Sequence, residues 1–332
     1  MNNIKKVRTE GVEKESINLK SFMTRYGLMI IIIVFILIMC IVQPAFRTSA
    51  NMLNILKQVS MNGMIALGMA FVIMIGGIDL SVGSIVAVAT LVAGSVLTMN
   101  PDNQMFTVYA VLAALAAGIL CGAFNGLCIA YLKIPPFIVT MGTMTMFRGL
   151  GYLYCNGQPY VLKSATYKVI GQGTVTGLSI PIPAIMLVVA IVIFYFILNW
   201  IKFGRNVLAT GGNENAAITA GINVKKMKII VYTMCGFMAA LGGIILGSRI
   251  NAGNPSLGSG YELDAISAVV IGGASMSGGL CTTLGTVLGI MTLGLINNSL
   301  NMLGVSSYFQ MVFQGIIIIV AVALDARSRQ AK

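Results

Sequence analysis

Long apolar runs separated by short polar intervals dominate the chain. Ten such runs lie at roughly 26–43, 58–75, 84–99, 107–131, 136–154, 182–201, 229–247, 263–275, 281–300 and 309–324. A membrane-spanning helix needs about 20 apolar residues in an unbroken run, whereas spanning strands alternate in polarity over about ten. The pattern therefore predicts an all-α polytopic membrane protein with about ten membrane-embedded helical segments. The eighth segment, 263–275, is too short to cross a bilayer unaided, so some helices are expected to be broken or re-entrant.

Composition agrees with residence in a membrane. Hydrophobic residues make up 57% of the chain and charged residues only 9%, whereas soluble domains carry about a quarter charged residues. The 38 glycines suit close helix packing and broken helices. Histidine is absent, and the six cysteines are scattered through the apolar runs without metal-ligand spacing. We therefore expect no metal site and interpret the cysteines as small hydrophobic residues of the bundle.

The net charge of +12 is distributed as membrane topology requires, not as a nucleic-acid-binding stripe. Most Lys and Arg residues cluster in the N-terminal segment, in the polar interval 202–228 and in the C-terminal tail. This asymmetry predicts that both termini are cytoplasmic. We divide the chain into a cytoplasmic tail over 1–22, a membrane domain over 23–326 and a second cytoplasmic tail over 327–332. The first apolar run is expected to be an uncleaved span, because no small-residue cleavage site follows it.

The polar interval on the cytoplasmic side is the longest between any two apolar runs. Asn213 is a good N-cap residue and Gly221 a good C′ residue, which predicts about two helical turns between them. Ala216, Ala217 and Ala220 would form one small-residue face of that helix. A helix this short is marginal alone. We interpret it as an element that fills a groove on a partner protein.

A glycine-rich motif, Gly-Gly-Ile-Asp-Leu-Ser-Val-Gly-Ser (76–84), separates the second and third apolar runs. One interpretation is a broken helix that lines a conduit, with Asp79 presented to water or to a partner. The other is structural, with Asp79 or Ser81 capping the next helix by accepting from its free amides. The two interpretations are compatible.

A second break surrounds the short eighth segment. Glu262 and Asp264 precede it, and Gly272-Gly273 ends it; Asp264 is close enough to the loop to act as an N-cap. Gly-Ile-Asp-Leu (77–80) and Gly-Tyr-Glu-Leu (260–263) each open a segment, five segments apart and on opposite sides. This similarity is what an inverted repeat with discontinuous helices would leave. A competing similarity, between 76–83 and 272–279, joins loops on the same side.

Arg148 lies well inside the fifth apolar run. A bare charge there would cost on the order of 3 kcal/mol, so it is expected to face the bundle interior and find an acceptor. Snorkelling toward the outer face and a structural ion pair are both open, and contact with a substrate is a third alternative.

Several catalytic and nucleotide-binding motifs are missing from the sequence. There is no G-x-x-x-x-G-K-[ST] motif, so ATP binding by a P-loop is not expected on this chain. There is also no H-E-x-x-H or G-x-S-x-G motif. We therefore do not expect an enzyme.

Four motifs in combination resemble one family. They are 76–84, Gly-Gly-Asn-x-x-Ala-Ala-x-x-x-Gly-Ile-Asn-Val (211–224), Tyr-Glu-Leu-Asp-Ala-Ile (261–266) and Leu-Gly-Val-Ser-Ser-Tyr-Phe-Gln-Met (303–311). From about Asn51 to Asp325 the chain resembles the membrane permeases of bacterial monosaccharide ABC importers, most closely the ribose type. The resemblance implies a multi-pass protein of the bacterial inner membrane that moves ribose or a related sugar.

The resemblance also implies partners. A cytoplasmic ATP-binding subunit would dock on the chain and hold the ATP and Mg, so no cofactor is expected here. An extracytoplasmic sugar-binding protein would deliver the sugar, and a second copy or a paralogous permease would complete the channel. The residues implied to dock the ATPase are Gly211, Gly212, Asn213, Glu214, Ala216, Ala217, Ala220 and Gly221. The candidates for the translocation path or its broken helices are Gly76, Gly77, Asp79, Ser81, Gly83, Glu262, Asp264, Gly272 and Gly273.

Two other classes of protein compete with this interpretation. A secondary sugar transporter or channel would explain broken helices and Arg148 without an ATPase, but it leaves the 202–228 interval unexplained. A membrane scaffold that transports nothing would explain a docking helix but not the interrupted helices. The sequence alone does not name the sugar or choose between a homodimer and a heterodimer.

Overall fold

The computed structural model of the chain describes residues 19–175, 177 and 179–330, and these residues are mostly helical. The α-helices in this part of the chain are α1 (Leu19–Val42), α2 (Ser49–Met74), α3 (Val82–Met99), α4 (Gln104–Tyr131), α5 (Pro136–Tyr154), α6 (Ala165–Gln172), α7 (Ile182–Asn199), α8 (Lys202–Gly212), α9 (Glu214–Thr219), α10 (Val224–Ile250), α11 (Tyr261–Ile271), α12 (Thr283–Met302) and α13 (Ser307–Gln330). A 3-10 turn, Pro44–Arg47, precedes α2. The two short strands β1 (Tyr160–Val161) and β2 (Ala252–Gly253) pair antiparallel.

The prediction of an all-α polytopic membrane protein is confirmed. Each of the ten apolar runs corresponds to one helix. Among the described residues, six helices are long and apolar enough to cross a membrane: α2, α3, α4, α7, α10 and α12. The 11 residues of α11 reach only about 16 Å, so the eighth segment is too short to span, as predicted. The position of the termini relative to the membrane stays a prediction.

Several boundaries differ from the predicted ones because capping residues extend the helices beyond their apolar runs. The second run was expected to begin at 58, but α2 begins at Ser49, where the Thr48 hydroxyl accepts a hydrogen bond from the N–H of Asn51 at 3.3 Å. α1 and α13 also extend into the segments predicted as tails. Residues 1–18 and 331–332 of those tails lie outside the described residues.

Two long antiparallel helices, α2 and α10, form the centre of the bundle. Glycines let them touch: a Cβ at Gly68 of α2 would lie 3.1 Å from the Cα of Cys235, and one at Gly242 of α10 would lie 2.8 Å from Ile65. Such small residues allow helix backbones to approach closely in a membrane, where dispersion contacts dominate association.

The two halves of the bundle repeat one arrangement. α2 to α5 and α10 to α13 each consist of a long helix, a break, a shorter helix and two further helices. The short helix of each half packs on the long helix of the other half: α3 on α10 and α11 on α2. α4 packs antiparallel on α10 through Gly122, and α12 packs antiparallel on α2 through Gly294. Because α2 and α10 are antiparallel, this is the arrangement that the inverted-repeat hypothesis requires.

We expect Gly122→Ala to destabilise the bundle and Gly27→Ala to leave its stability unchanged or slightly raised. A Cβ at Gly122 would collide with the carbonyl oxygen of Tyr232 and lie 3.0 Å from the Cα of Thr233, whereas nothing lies within 4 Å of one at Gly27. Overpacking costs about 1–3 kcal/mol, and Ala gains about 1 kcal/mol over Gly within a helix. Thermal unfolding of the purified variants in detergent measures both effects. Equal stability of the two variants would contradict the close contact between α4 and α10.

Candidate functional site

Two half-helices begin in the interior of the bundle, and their N-termini meet there. α3 begins at Val82 and α11 at Tyr261. A Cβ at Gly83 would collide with the carbonyl oxygen of Gly258 and with the carboxylate of Glu262. α3 continues for about 24 Å beyond Gly83 before it ends at Met99, which places this meeting point at membrane depth.

The break between α2 and α3 is satisfied by protein groups. Gly76 adopts a positive φ of +73° just after α2, and a Cβ at Gly77 would collide with the hydroxyl of Tyr232. The carbonyl oxygen of Ile78 accepts from the Thr140 hydroxyl at 3.2 Å and from the Tyr232 hydroxyl at 3.4 Å. Non-helical backbone survives at membrane depth only with such partners.

Asp79 is fully buried. Its Oδ1 accepts from the N–H of Ser81 at 2.9 Å and from the Ser81 hydroxyl at 2.7 Å, and that hydroxyl accepts from the Asn125 amide at 2.8 Å. The interpretation that Asp79 faces water or a partner is therefore wrong for this structure. The capping interpretation is correct in that both residues act locally at the start of α3. Ser81 is the N-cap residue, but its side chain makes no cap hydrogen bond. Asp79 instead fixes the turn before the helix.

The acidic residues of the second half-helix play two different parts. Glu262 Oε1 accepts from the N–H of Gly260, the N-cap residue of α11, at 3.1 Å. Asp264 is not an N-cap, contrary to expectation, because it lies one turn into α11. Its Oδ1 accepts instead from the Gln314 side chain of α13 at 2.7 Å. The sequence could not reveal this partner, which is remote along the chain.

Arg148 holds the loop that leads into α11. Its guanidinium donates to the carbonyl oxygens of Pro255 at 2.6 Å and Leu257 at 2.5 Å. The expectation of an interior acceptor is confirmed. The structure shows neither snorkelling nor, within the described residues, an ion pair of Arg148.

The second glycine break lies at one end of the bundle, not at the meeting point. Gly278 contacts both Gly76 and Gly211, and the N–H of Gly279 donates to the carbonyl oxygen of Met74 at 3.0 Å. Gly272 contacts Gly285 at the start of α12, while Gly273 is exposed. Because backbone groups at membrane depth cannot face lipid, we expect both glycine breaks, 76–83 and 272–279, to lie in the interior of the bundle. This holds for 77–83, whereas Gly76, Gly278 and Gly279 meet at the end of α2.

The predicted docking helix exists as α9, with the predicted ends. Asn213 Oδ1 accepts from the N–H of Ala216 at 3.0 Å. Gly221 adopts a φ of +82°, and the next N–H, that of Ile222, donates to the carbonyl oxygen of Ala217 at 3.0 Å. This is the hydrogen bonding of a glycine-terminated helix.

Two predicted docking residues do not face outward. Ala217 is buried, with 3% of its surface exposed, while Ala216 and Ala220 are exposed, so the three alanines do not form one outward face. Gly211 lies in the last turn of α8, where a Cβ would collide with the carbonyl oxygen of Met74. It packs against the end of α2, beside Gly212, which is exposed.

A groove of about 710 Å³ separates α9 and the start of α10 from the turn between α4 and α5. Ile218 lies on its wall with 54% of its surface exposed. Lys133, Lys225 and Lys228 also line it, and Lys228 pairs with Glu214 at 2.9 Å. Neither Ile218 nor the α4–α5 turn was predicted from the sequence, although Ile218 is the one large apolar residue of α9.

Comparison with known proteins identifies similar chains. The family model described as "Branched-chain amino acid transport system / permease component" matches residues 51–322. The ribose import permease protein of Bacillus subtilis (strain 168) is 43% identical over 317 residues, which cover 95% of this chain and 97% of that protein. The ribose import permease protein of Escherichia coli (strain K12) is 39% identical over 314 residues, 93% and 96% of the two chains. The L-arabinose transport system permease protein of the same strain is 38% identical over 322 residues, 97% and 96%. No solved structure matches.

We expect Arg148→Leu to loosen the loop 252–260 without unfolding the bundle. The change removes two hydrogen bonds from a charged donor, each worth about 1.5–3 kcal/mol, so amide hydrogen exchange in the loop should accelerate about tenfold or more. Exchange in the buried part of α2 should not change. Hydrogen exchange read by mass spectrometry measures both regions, with Arg47→Leu as a control for the loss of charge alone. Unchanged loop exchange in Arg148→Leu would mean that the guanidinium does not hold the loop.

Proposed function

The chain belongs to the family of branched-chain amino acid transport system permease components, and from this we propose that it is the permease subunit of a monosaccharide importer in the bacterial inner membrane. Relatives that cover nearly its whole length are named for ribose, L-arabinose and galactose import. Ribose or a closely related sugar is therefore the proposed cargo. The observation that carries the proposal is this similarity over more than nine-tenths of the chain.

The energy for import comes from a separate ATP-binding subunit. This chain lacks a P-loop, so ATP and Mg belong to the partner. The structure offers a surface for that partner in α9 and the adjacent groove. Ile218 is the apolar centre of this surface, the exposed Ala216 and Ala220 allow close approach, and the lysines form a basic rim. An exposed apolar residue surrounded by polar groups marks an interaction site.

The opposite end of the bundle suits an extracytoplasmic sugar-binding protein. There β1 pairs with β2, and α6 is tied to α10 because the Ser248 hydroxyl donates to the carbonyl oxygen of Tyr167 at 2.6 Å. Burial raises the pKa of Tyr167, whose protonated hydroxyl donates to the carbonyl oxygen of Ile244 at 3.2 Å. These contacts join the outer segments into one rigid layer, and a rigid surface loses little entropy when a partner binds.

Reconstitution tests the proposed function directly. Vesicles that contain the permease, its ATP-binding subunit and its sugar-binding protein should accumulate ribose only when ATP is supplied. Uptake without the ATP-binding subunit would indicate a secondary transporter or channel instead. Absence of uptake of ribose, L-arabinose and galactose by the complete, folded assembly would refute a monosaccharide importer.

We expect Ile218→Asp to reduce ATP-driven uptake about tenfold or more while the permease remains abundant and inserted. A carboxylate in place of an apolar contact would be desolvated without a partner when the ATP-binding subunit docks, which costs about 2 kcal/mol or more. Co-purification of the ATP-binding subunit and sugar uptake measure the effect.

Ile218→Leu is the matched control, because it keeps the apolar volume and should keep uptake near the wild-type level. If Ile218→Asp retains wild-type uptake and wild-type co-purification of the ATP-binding subunit, α9 is not the docking element.

A further inference from the structure

The outer segment between α10 and α11 re-enters the bundle. It begins with β2, where Gly253 packs against Thr90 of α3. Farther along, a Cβ at Gly258 would lie 3.0 Å from the Cβ of Val86. Since α3 extends about 20 Å beyond Val86 to its end, the segment 254–260 reaches the middle of the membrane.

Two hydroxyl side chains of this re-entrant segment, Ser256 and Ser259, are exposed on the surface of the chain at that depth. On its other side the segment is covered by Gly83 of α3 and Arg148 of α5. Irregular backbone is not tolerated against the hydrocarbon of a membrane. The exposed side of the segment therefore borders water or protein, not lipid.

The neighbouring helix α5 continues this polar surface. Thr145 and Tyr152 lie three residues before and four residues after Arg148, which puts them on the same face of the helix as the residue that holds the segment. Both are exposed. Leu263, at the start of α11, adds a small apolar area with 38% of its surface exposed.

We propose that Ser256, Ser259, Thr145 and Tyr152 form a sugar-contact patch that lines the aqueous path at the middle of the membrane. The proposal rests on the proposed function and adds the place where the sugar passes. Each hydroxyl can accept hydrogen bonds from the hydroxyls of a neutral monosaccharide, and those of Ser259 and Tyr152 can also donate one. The Ser256 hydroxyl already donates to Oδ1 of Asn254 at 2.8 Å, and the Thr145 hydroxyl to the carbonyl oxygen of Met141 at 3.4 Å. The aromatic ring of Tyr152 and the side chain of Leu263 can pack against the apolar C–H faces of the sugar ring.

The patch is held rigidly. Arg148 fixes two carbonyl oxygens of the re-entrant segment, and at its far end the Gln314 side chain donates to the carbonyl oxygen of Gly260 at 3.4 Å. The hydroxyls are thus presented without a conformational change of the segment. A few exposed hydrogen bonds bind weakly, as passage requires, because each must be exchanged with water.

Cysteine accessibility tests the path. Ser259→Cys and Leu120→Cys are introduced into a chain whose six native cysteines are replaced. Leu120 lies in the middle of α4 and is 69% exposed, so it serves as the lipid-facing control. A charged, membrane-impermeant methanethiosulfonate reagent, applied to either side of vesicles that contain the complete transporter, should modify Ser259→Cys about tenfold faster or more, because hydrocarbon excludes charge. Ribose delivered by the binding protein should slow that reaction.

The outcomes separate this proposal from the proposed function. ATP-driven ribose uptake by the cysteine-free parent tests the function, whereas reactivity at position 259 tests the path. If Ser259→Cys and Leu120→Cys are modified equally slowly, Ser259 does not line an aqueous path. Disulfide cross-linking of Ser259→Cys between two copies, without modification, would show a protein interface instead. If the cysteine-free parent transports ribose but ribose does not slow the modification of Ser259→Cys, the proposed contact between the patch and the sugar is wrong.

Transport kinetics provide a second measurement. Ser259→Trp should reduce uptake about tenfold or more at unchanged abundance, because the indole would obstruct a narrow path. Ser259→Ala should raise the KM for transport about two- to tenfold, the effect of one lost hydrogen bond. Leu120→Trp should leave uptake unchanged. If Ser259→Trp takes up ribose at the rate of the parent, the proposed sugar-contact patch is wrong.

Discussion

The requirement that every polar backbone group at membrane depth finds a partner governs this structure. Three interior carbonyl groups that no helix satisfies are paired by side chains of remote helices: Ile78 by Thr140 and Tyr232, and Pro255 and Leu257 by Arg148. An unsatisfied group there would cost several kcal/mol. The breaks can therefore exist only in the assembled bundle, and each depends on helices from both halves of the chain.

Glycine makes the assembly possible at the places where backbones meet. Gly68 and Gly242 allow α2 and α10 to cross, and Gly83 allows the two half-helix N-termini to approach. The result is a centre in which acidic side chains lie next to the positive ends of two helices. Helix N-termini favour negative charge and polar acceptors, so the buried Asp79 and the half-buried Glu262 are consistent with the field around them.

The sequence predicted the elements well and the contacts poorly. The apolar runs identified ten helices, nine long ones and the short α11, because hydropathy and length alone decide which segments enter a membrane. Asn213 and Gly221 gave the ends of α9, because capping is local. Burial of Ala217, the packing of Gly211, the role of Asp264 and the acceptors of Arg148 were beyond the sequence, since each depends on residues that are remote along the chain. The groove beside α9 was missed for the same reason: its walls come from 129–136 and 214–228.

The contact of Gly211 with the end of α2 has a mechanical consequence. α8 ends where Gly278 and Gly279 also meet Met74 and Gly76, so three chain segments converge on one point without long side chains between them. α9 follows after a single residue. A force applied to α9 is therefore transmitted through the short helix α8 to this glycine junction. Little of the displacement can be absorbed by side-chain rearrangement, so α2 and the loop before α12 must move with α8 as one body.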